Sequence, residues 1–215
     1  MLMKFSLAPT NLPTAPFLPT FSVGPNCPTR FKNVGLERTI DVLFVGRFIS
    51  IKGIDDLITA VSLMEKIPKT YLIGDGPNRE ELKAQISALK IRNIKILSNI
   101  SDEQLLSIYN SSKVAVFPSY AKEGMVLAML EAASCGCGIV TSDACSMKEF
   151  IEDGESGLIA KSRNPVDLAT KLTKLLAQDD LRIKFALNCA SKFGGFWSKE
   201  SRMAELYSVY SVVTQ

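Results

Sequence analysis

Short apolar runs alternate along most of this chain with longer stretches in which apolar residues recur every three or four positions. Val42–Val45, Tyr71–Ile73, Ile94–Leu97, Val114–Phe117, Ile139–Thr141 and Gly157–Ile159 are the short runs. Their length and near-continuous apolar character predict strands of a parallel sheet covered on both faces. Ile54, Leu57, Ile58 and Val61 form one helical stripe, and Leu82, Ile86 and Leu89 form another. Ser101-Asp102-Glu103-Gln104 is a capping box that opens a helix burying Leu105, Ile108 and Tyr109, and Ser146-Met147-Lys148-Glu149 reads as a shorter one. Asn164-Pro165 supplies a cap and a first-turn proline ahead of Leu168, Leu172 and Leu175. Lys199–Val213 is amphipathic through Met203, Leu206, Tyr207 and Tyr210. The repetition predicts an α/β fold, a Rossmann-like doubly wound parallel sheet of about six strands. In such a sheet ligands sit at the carboxyl ends of the strands.

Residues 1–38 do not share this pattern. They hold most of the prolines, lack sustained periodicity and carry the turn signals Gly24-Pro25 and Cys27-Pro28. They read as a Pro-rich arm or a remnant linker, and residues 39–215 as one domain closed by a C-terminal helix.

The composition narrows the chemistry. A chain of 215 residues with 47% apolar and 22% charged residues can bury a real core. A formal charge of +3 with no dense Lys/Arg block gives no reason to expect nucleic acid as a partner. No run is long and apolar enough to span a membrane, and Pro9, Pro13, Pro16 and Pro19 interrupt what would be a secretory signal. The expected location is cytoplasmic. Five cysteines, an odd number in a chain this large, agree with free thiols. Cys135, Cys137 and Cys145 stand close together, but the chain has no histidine and this is not a zinc spacing, so no metal is expected. Without histidine there is no Ser-His-Asp or Cys-His arrangement either, and chemistry falls to carboxylates, amines or groups of the substrate.

Three loops follow predicted strands and so belong on the ligand edge. Gly46-Arg47-Phe48-Ile49-Ser50-Ile51-Lys52-Gly53 places one cation just past a strand and another at the next helix start. That is the arrangement of a diphosphate clamp, or of two solvated charges flanking a loop. Gly74-Asp75-Gly76-Pro77 allows close backbone approach to a ligand, or makes a plain strand-to-helix turn. The third loop leads from Pro118-Ser119 into Glu123-Gly124-Met125-Val126-Leu127 and on to Glu131, with seven residues between the two carboxylates. A helix start there seats an anion on its free N–H groups. Glu123 could accept from sugar hydroxyls. Glu131 interrupts an apolar run and needs partners, which vicinal ribose hydroxyls would supply, unless it lies on a solvent stripe.

In this order the loops resemble the C-terminal domain of the glycosyltransferase family 4 enzymes, which have the two-domain GT-B fold. The resemblance rests on Phe44-Val45-Gly46-Arg47 with Lys52-Gly53, Gly74-Asp75-Gly76-Pro77, Ser119, Glu123-Gly124, Leu130-Glu131-Ala132 and Cys135-Gly136. It continues through Glu149, Glu152-Asp153-Gly154-Glu155-Ser156-Gly157-Leu158 and Phe196-Trp197-Ser198, and runs from about residue 40 to the end. It implies that Arg47 and Lys52 contact the donor diphosphate, that Glu123 lies near the donor sugar and that Glu131 binds the ribose. Backbone N–H groups around Met125, Val126 and Leu127, after Gly124, would face the phosphates. Gly46, Gly74 and Gly76 complete the expected donor site, with Arg47, Lys52 and Glu123 as the catalytic set. The implied reaction moves a sugar, of hexosyl type, from a nucleotide-diphosphate donor to an acceptor with retention of configuration and without a metal or other cofactor. Stabilising leaving-group charge is then the main demand.

The chain also departs from that family. Met125-Val126 stands where Phe-Gly is common, so Val126 could crowd the donor, and Cys137-Gly138 replaces a small residue and proline. Residues 1–38 are too short to form the N-terminal acceptor domain. The expected partners are therefore a nucleotide sugar and a separate acceptor-binding domain or subunit, with peripheral membrane contact only through that missing domain. Three readings follow: a donor-binding half inactive by itself, a non-catalytic nucleotide-binding module, or an unrelated doubly wound regulatory domain.

Overall fold

The computed structural model describes residues 32–121, 127–144 and 150–196. Six parallel strands form one sheet in the order β3-β2-β1-β4-β5-β6. They are β1 (Ile40–Val45), β2 (Thr70–Ile73), β3 (Ile94–Leu97), β4 (Ser112–Phe117), β5 (Gly138–Ser142) and β6 (Leu158–Ala160). The fold class and all six strands follow the apolar runs: β3 coincides with its run, β6 lies one residue later than Gly157–Ile159, and the other four extend one or two residues beyond theirs.

Alternation along each strand divides the core into two layers. Val42, Phe44, Leu72, Val114, Val116, Val140 and Leu158 point to one face. Leu43, Ile73, Ala115, Phe117 and Ile139 point to the other. The first face is covered by α1 (Ile54–Ser62), α2 (Arg79–Ala88) and α5 (Pro165–Ala177), the second by α3 (Asp102–Asn110) and α4 (Leu127–Ser134). Edge strand β3 is the exception to full coverage: Lys95 is exposed and its neighbours are half-buried. There the covered-sheet expectation gives way to the rule that an edge strand has one partner and meets solvent.

The helices form where their stripes and caps place them. Ile54, Leu57, Ile58 and Val61 are all buried in α1. The Ser101 capping box closes in both directions, its hydroxyl accepting from the Gln104 N–H and the Gln104 side chain accepting from the Ser101 N–H. Of the apolar residues behind it only Tyr109 is fully buried; Leu105 and Ile108 are half-buried. The Asn164 side chain accepts from the Asp167 N–H at 3.0 Å, with Pro165 in the first turn. Leu82 is buried in α2 but Leu89 is 42% exposed, because the helix stops at Ala88 and turns Leu89 outward. The Ser146–Glu149 box and the amphipathic Lys199–Val213 segment lie outside the described residues.

Two features were not anticipated. Residues 32–38 carry no helix or strand, yet they are tied to the domain. The Asn110 side chain accepts from the Val34 N–H and donates to the Lys32 carbonyl. Arg38 donates to the carbonyls of Ser112 and Cys135, joining the start of β4 to the end of α4. The second feature is α6 (Asp179–Phe196). It has Asp179 and Asp180 in its first turn and straddles the two layers, with Phe185 in one and Cys189 in the other. No single stripe serves both layers, so a search for helical period passes over it.

The two sides of α6 differ in burial, and substitution separates them. Phe185 is 1% exposed and Leu187 is 66% exposed. Phe185→Ala is expected to cost about 3–5 kcal/mol of unfolding free energy. Leu187→Ala should stay within about 0.5 kcal/mol of the parent in the same urea titration.

Candidate functional site

The strand order places the site. From β1 the chain winds outward through α1 and α2 on one face; it then returns past β1 to β4 and winds the other way through α3 and α4 on the opposite face. The loops after β1 and β4 therefore diverge from adjacent strands, leaving a crevice at the carboxyl edge. Residues 46–53 and residues 118–121 form its two sides. They meet where the Tyr120 N–H donates to the Ile51 carbonyl at 3.0 Å. Gly53, at φ +64, allows that contact: a Cβ there would run into the Pro118 carbonyl oxygen. Gly53 also closes the 3₁₀ turn Ser50–Lys52 and starts α1.

The loop after β2 packs on the loop after β1. The Phe48 N–H donates to the Asp75 carbonyl at 2.8 Å, and the Asn78 N–H to the Phe48 carbonyl at 3.1 Å. Gly74 (φ +148) and Gly76 (φ +157) lie so close that a Cβ on either would strike the carbonyl oxygen of Gly46 or Phe48. The close approach that these glycines permit is thus made to the first loop's backbone. The Phe48 side chain is fully buried, 6.3 Å from the Phe44 ring, and anchors the loop from below. Arg47, its neighbour, is exposed on the crevice loop, and Lys52 is half-buried and has a partner of its own.

Glu123, Gly124, Met125 and Val126 lie outside the described residues; on the opposite wall, Leu127 opens α4 at 37% exposure. Glu131 is half-buried one turn further on, beside Met129, Leu130, Ala132 and Ala133, which are buried. The Tyr109 hydroxyl, on α3, donates to Glu131 Oε2 at 2.9 Å. Burial and, after it, the Glu131 charge push the Tyr109 phenol well above its ordinary value, so the hydroxyl keeps its proton. The apolar run around Glu131 signalled that this carboxylate needs a partner. Which residue supplies it was hidden, because α3 and α4 meet only in the folded layer.

A second pair was also missed. The Arg163 guanidinium lies 4.3 Å from the Tyr120 ring centre. Arg163 has φ +53, a left-handed conformation uncommon for a side chain of its size. Burial and then Asp55 raise the Asp56 carboxyl, which faces the same corner. The cavity at this corner, between Asp56, Pro118, Ser142 and Arg163, measures about 10 Å³, room for a water rather than a sugar.

Among the described residues no group of three His, Cys, Asp or Glu side chains gathers as metal ligands, and no helix is long and apolar enough to cross a membrane. Cys135 and Cys137 are free thiols, and both are fully buried, as is Cys189; Cys145 lies outside the described residues. Burial, and secondarily Cys137, pushes the Cys135 thiol up to about 12; burial against the opposing pull of Arg38 pushes Cys137 up to about 11.

Comparison with known proteins adds to this geometry. The model of the family Glycosyl transferases group 1 matches residues 28–191. The chain belongs to that family. A D-inositol 3-phosphate glycosyltransferase from Corynebacterium jeikeium is 33% identical over 178 residues, covering 76% of this chain and 42% of that protein. Like the other curated relatives it matches, that enzyme is more than twice as long as the stretch shared: this group 1 chain spans less than half of each. Among solved structures, the C-terminal domain of a glycosyl transferase group 1 family protein (LpcC) from Francisella tularensis superposes with a TM-score of 0.72 at 21% identity. The match covers 80% of this chain and 98% of that one. HepE of Anabaena, in complex with UDP and glucose, gives 0.75 at 20% identity, covering 81% of this chain and 49% of HepE. The fold of this group 1 domain is thus that of one domain of a GT-B glycosyltransferase.

The raised thiols make a pH prediction. Their protonated form is the one the native state favours, so their contribution is complete below the ordinary value of 9.0 and is lost as pH rises toward about 12. The urea midpoint is expected to fall between pH ~9 and ~11. It should fall less in a Cys135→Ala/Cys137→Ala variant. At neutral pH iodoacetamide should label these two thiols only after unfolding.

Proposed function

We propose that this chain is the donor-binding half of a retaining family 4 glycosyltransferase. It holds a nucleotide-diphosphate sugar at the β1/β4 crevice for transfer to an acceptor. The observation that carries the reading is Glu131: a carboxylate on a largely buried helix face, held by a buried tyrosine, across the switch point from the cationic loop Gly46–Gly53. An ionised carboxylate offers about four acceptor sites, enough for the tyrosine and for the vicinal hydroxyls of a ribose. The likeness to a lone C-terminal domain of the same family, covered over 98% of its length, supports assignment to that half. The likeness to a fold that holds UDP in HepE supports the donor class.

In this reading Arg47 and Lys52 meet the diphosphate, the first bidentately and the second as a point charge. Transfer forms a bond between the acceptor's nucleophilic atom and the anomeric carbon as the bond to the diphosphate oxygen breaks; that oxygen leaves with the electron pair and takes up the acceptor's proton. The two cations and the backbone N–H groups around Met125, Val126 and Leu127 stabilise that charge. Glu123 stands by the donor sugar, and Gly46, Gly74 and Gly76 shape the backbone floor. No metal enters the scheme. The acceptor, of unspecified class, binds on a separate N-terminal domain or subunit, so the chain alone binds donor without turning it over. A second reading, a nucleotide-binding module with no catalytic role, shares the same geometry; addition of an N-terminal acceptor domain from a relative separates the two by turnover.

Calorimetric titration with UDP, GDP and ADP tests the proposal. One nucleotide is expected to bind saturably. Glu131→Ala should weaken it by roughly tenfold or more, and Arg47→Ala should cost about 10- to 100-fold for the diphosphate, the range of a charge-assisted hydrogen bond. Absence of binding by the folded chain to all three would sink the reading.

A further inference from the structure

We propose that Tyr109 is a positioning residue for donor recognition, its hydroxyl fixing the orientation in which the Glu131 carboxylate meets the ribose. The inference rests on the ribose role just given to Glu131 and extends it to a residue in the sheet's second helical layer that touches no ligand.

Three observations converge on Tyr109. First, its ring is fully buried at the end of α3, in the layer formed by Leu43, Phe117, Met129, Leu130 and Ile139. A ring packed this way has no alternative rotamer without opening the core, so its hydroxyl occupies one place. Second, the partner at that place is ionisable. The buried phenol donates to Glu131 Oε2, 2.9 Å away, on the neighbouring helix. Third, Glu131 is half-buried on the helix that follows the crevice loop. A glutamate has three rotatable side-chain torsions, and its terminal one is broad. With Oε2 held, the plane of the carboxylate is set, and with it the direction in which its other acceptor sites lie. Ordering this group before the ligand arrives removes an entropic cost from binding.

A structural role alone would also explain a buried tyrosine. Such a role predicts that losing the hydroxyl weakens every nucleotide equally, whereas positioning of Glu131 predicts a loss confined to ligands with the ribose hydroxyls. The ratio of affinities for a ribonucleotide and its 2′-deoxy counterpart therefore reads the proposal, and global stability leaves that ratio unmoved.

The experiment uses the purified chain, the nucleoside diphosphate it binds and the 2′-deoxy form of that diphosphate. Wild type is expected to prefer the ribonucleotide by about tenfold, the discrimination of a site built to bond a substrate hydroxyl being at least this large. Tyr109→Phe keeps the ring and should lower ribonucleotide affinity by roughly five- to tenfold, with less than about a twofold effect on the deoxy form, so that the preference collapses. In a Glu131→Gln background the same substitution should have little further effect on the ratio, which makes the two residues one unit. An equal loss for both ligands, or an unchanged ratio, would overturn the positioning role while leaving donor binding intact. Wild type that binds the ribo and deoxy forms equally would instead remove the ribose role of Glu131. Wild type that binds neither removes the proposed function itself.

Discussion

Where the chain leaves β1 and β2, two backbones run against each other with no side chain between them. Gly74 and Gly76 face the carbonyl oxygens of Gly46 and Phe48, and main-chain hydrogen bonds cross the junction in both directions. Much of the carboxyl edge depends on this contact. It turns the loop after β1 into a fixed ledge, pinned below by the buried Phe48 ring. That leaves Arg47 exposed above a rigid base. The same economy recurs across the crevice, where Gly53 lets the backbone after β1 lie on the Pro118 carbonyl. Cationic side chains on a ledge of this kind have little backbone freedom to lose when they meet a ligand.

The sheet decides what faces the ledge. Because the strand order turns at β1 and β4, helices α1 and α2 lie on one face and α3 and α4 on the other. The helix that follows the crevice loop is thereby forced against α3. This layer is apolar apart from a few groups, and a lone carboxylate at its margin would be costly without a donor. Tyr109 supplies that donor, at the cost of committing a buried phenol to a polar partner. Arg38 and Asn110 perform a related service beside it, where they bind the entering chain to the ends of α3, α4 and β4. The α3–α4 pair is therefore joined by a polar contact as well as by apolar packing.

The sequence by itself determined the α/β class, all six strands and the caps at Ser101 and Asn164, because burial of a parallel sheet and satisfaction of helix-end N–H groups are local demands that leave local residue patterns. It also marked Gly46, Arg47, Lys52, Gly74, Gly76, Leu127 and Glu131 as residues of one edge, since each follows a strand in the chain. Three things escaped it. Helix α6 serves two layers with different sides, so it shows no single stripe. The need for Gly74 and Gly76 arises from a second loop 28 positions earlier for both the Gly74–Gly46 and Gly76–Phe48 contacts. The Tyr109–Glu131 bond and the Tyr120–Arg163 stack join residues brought together only by the order of strands and the faces their helices take. Tertiary structure alone decided these, because hydrogen bonds and ring contacts depend on distance in space, and periodicity along a chain carries no information about which distant element will fill that space.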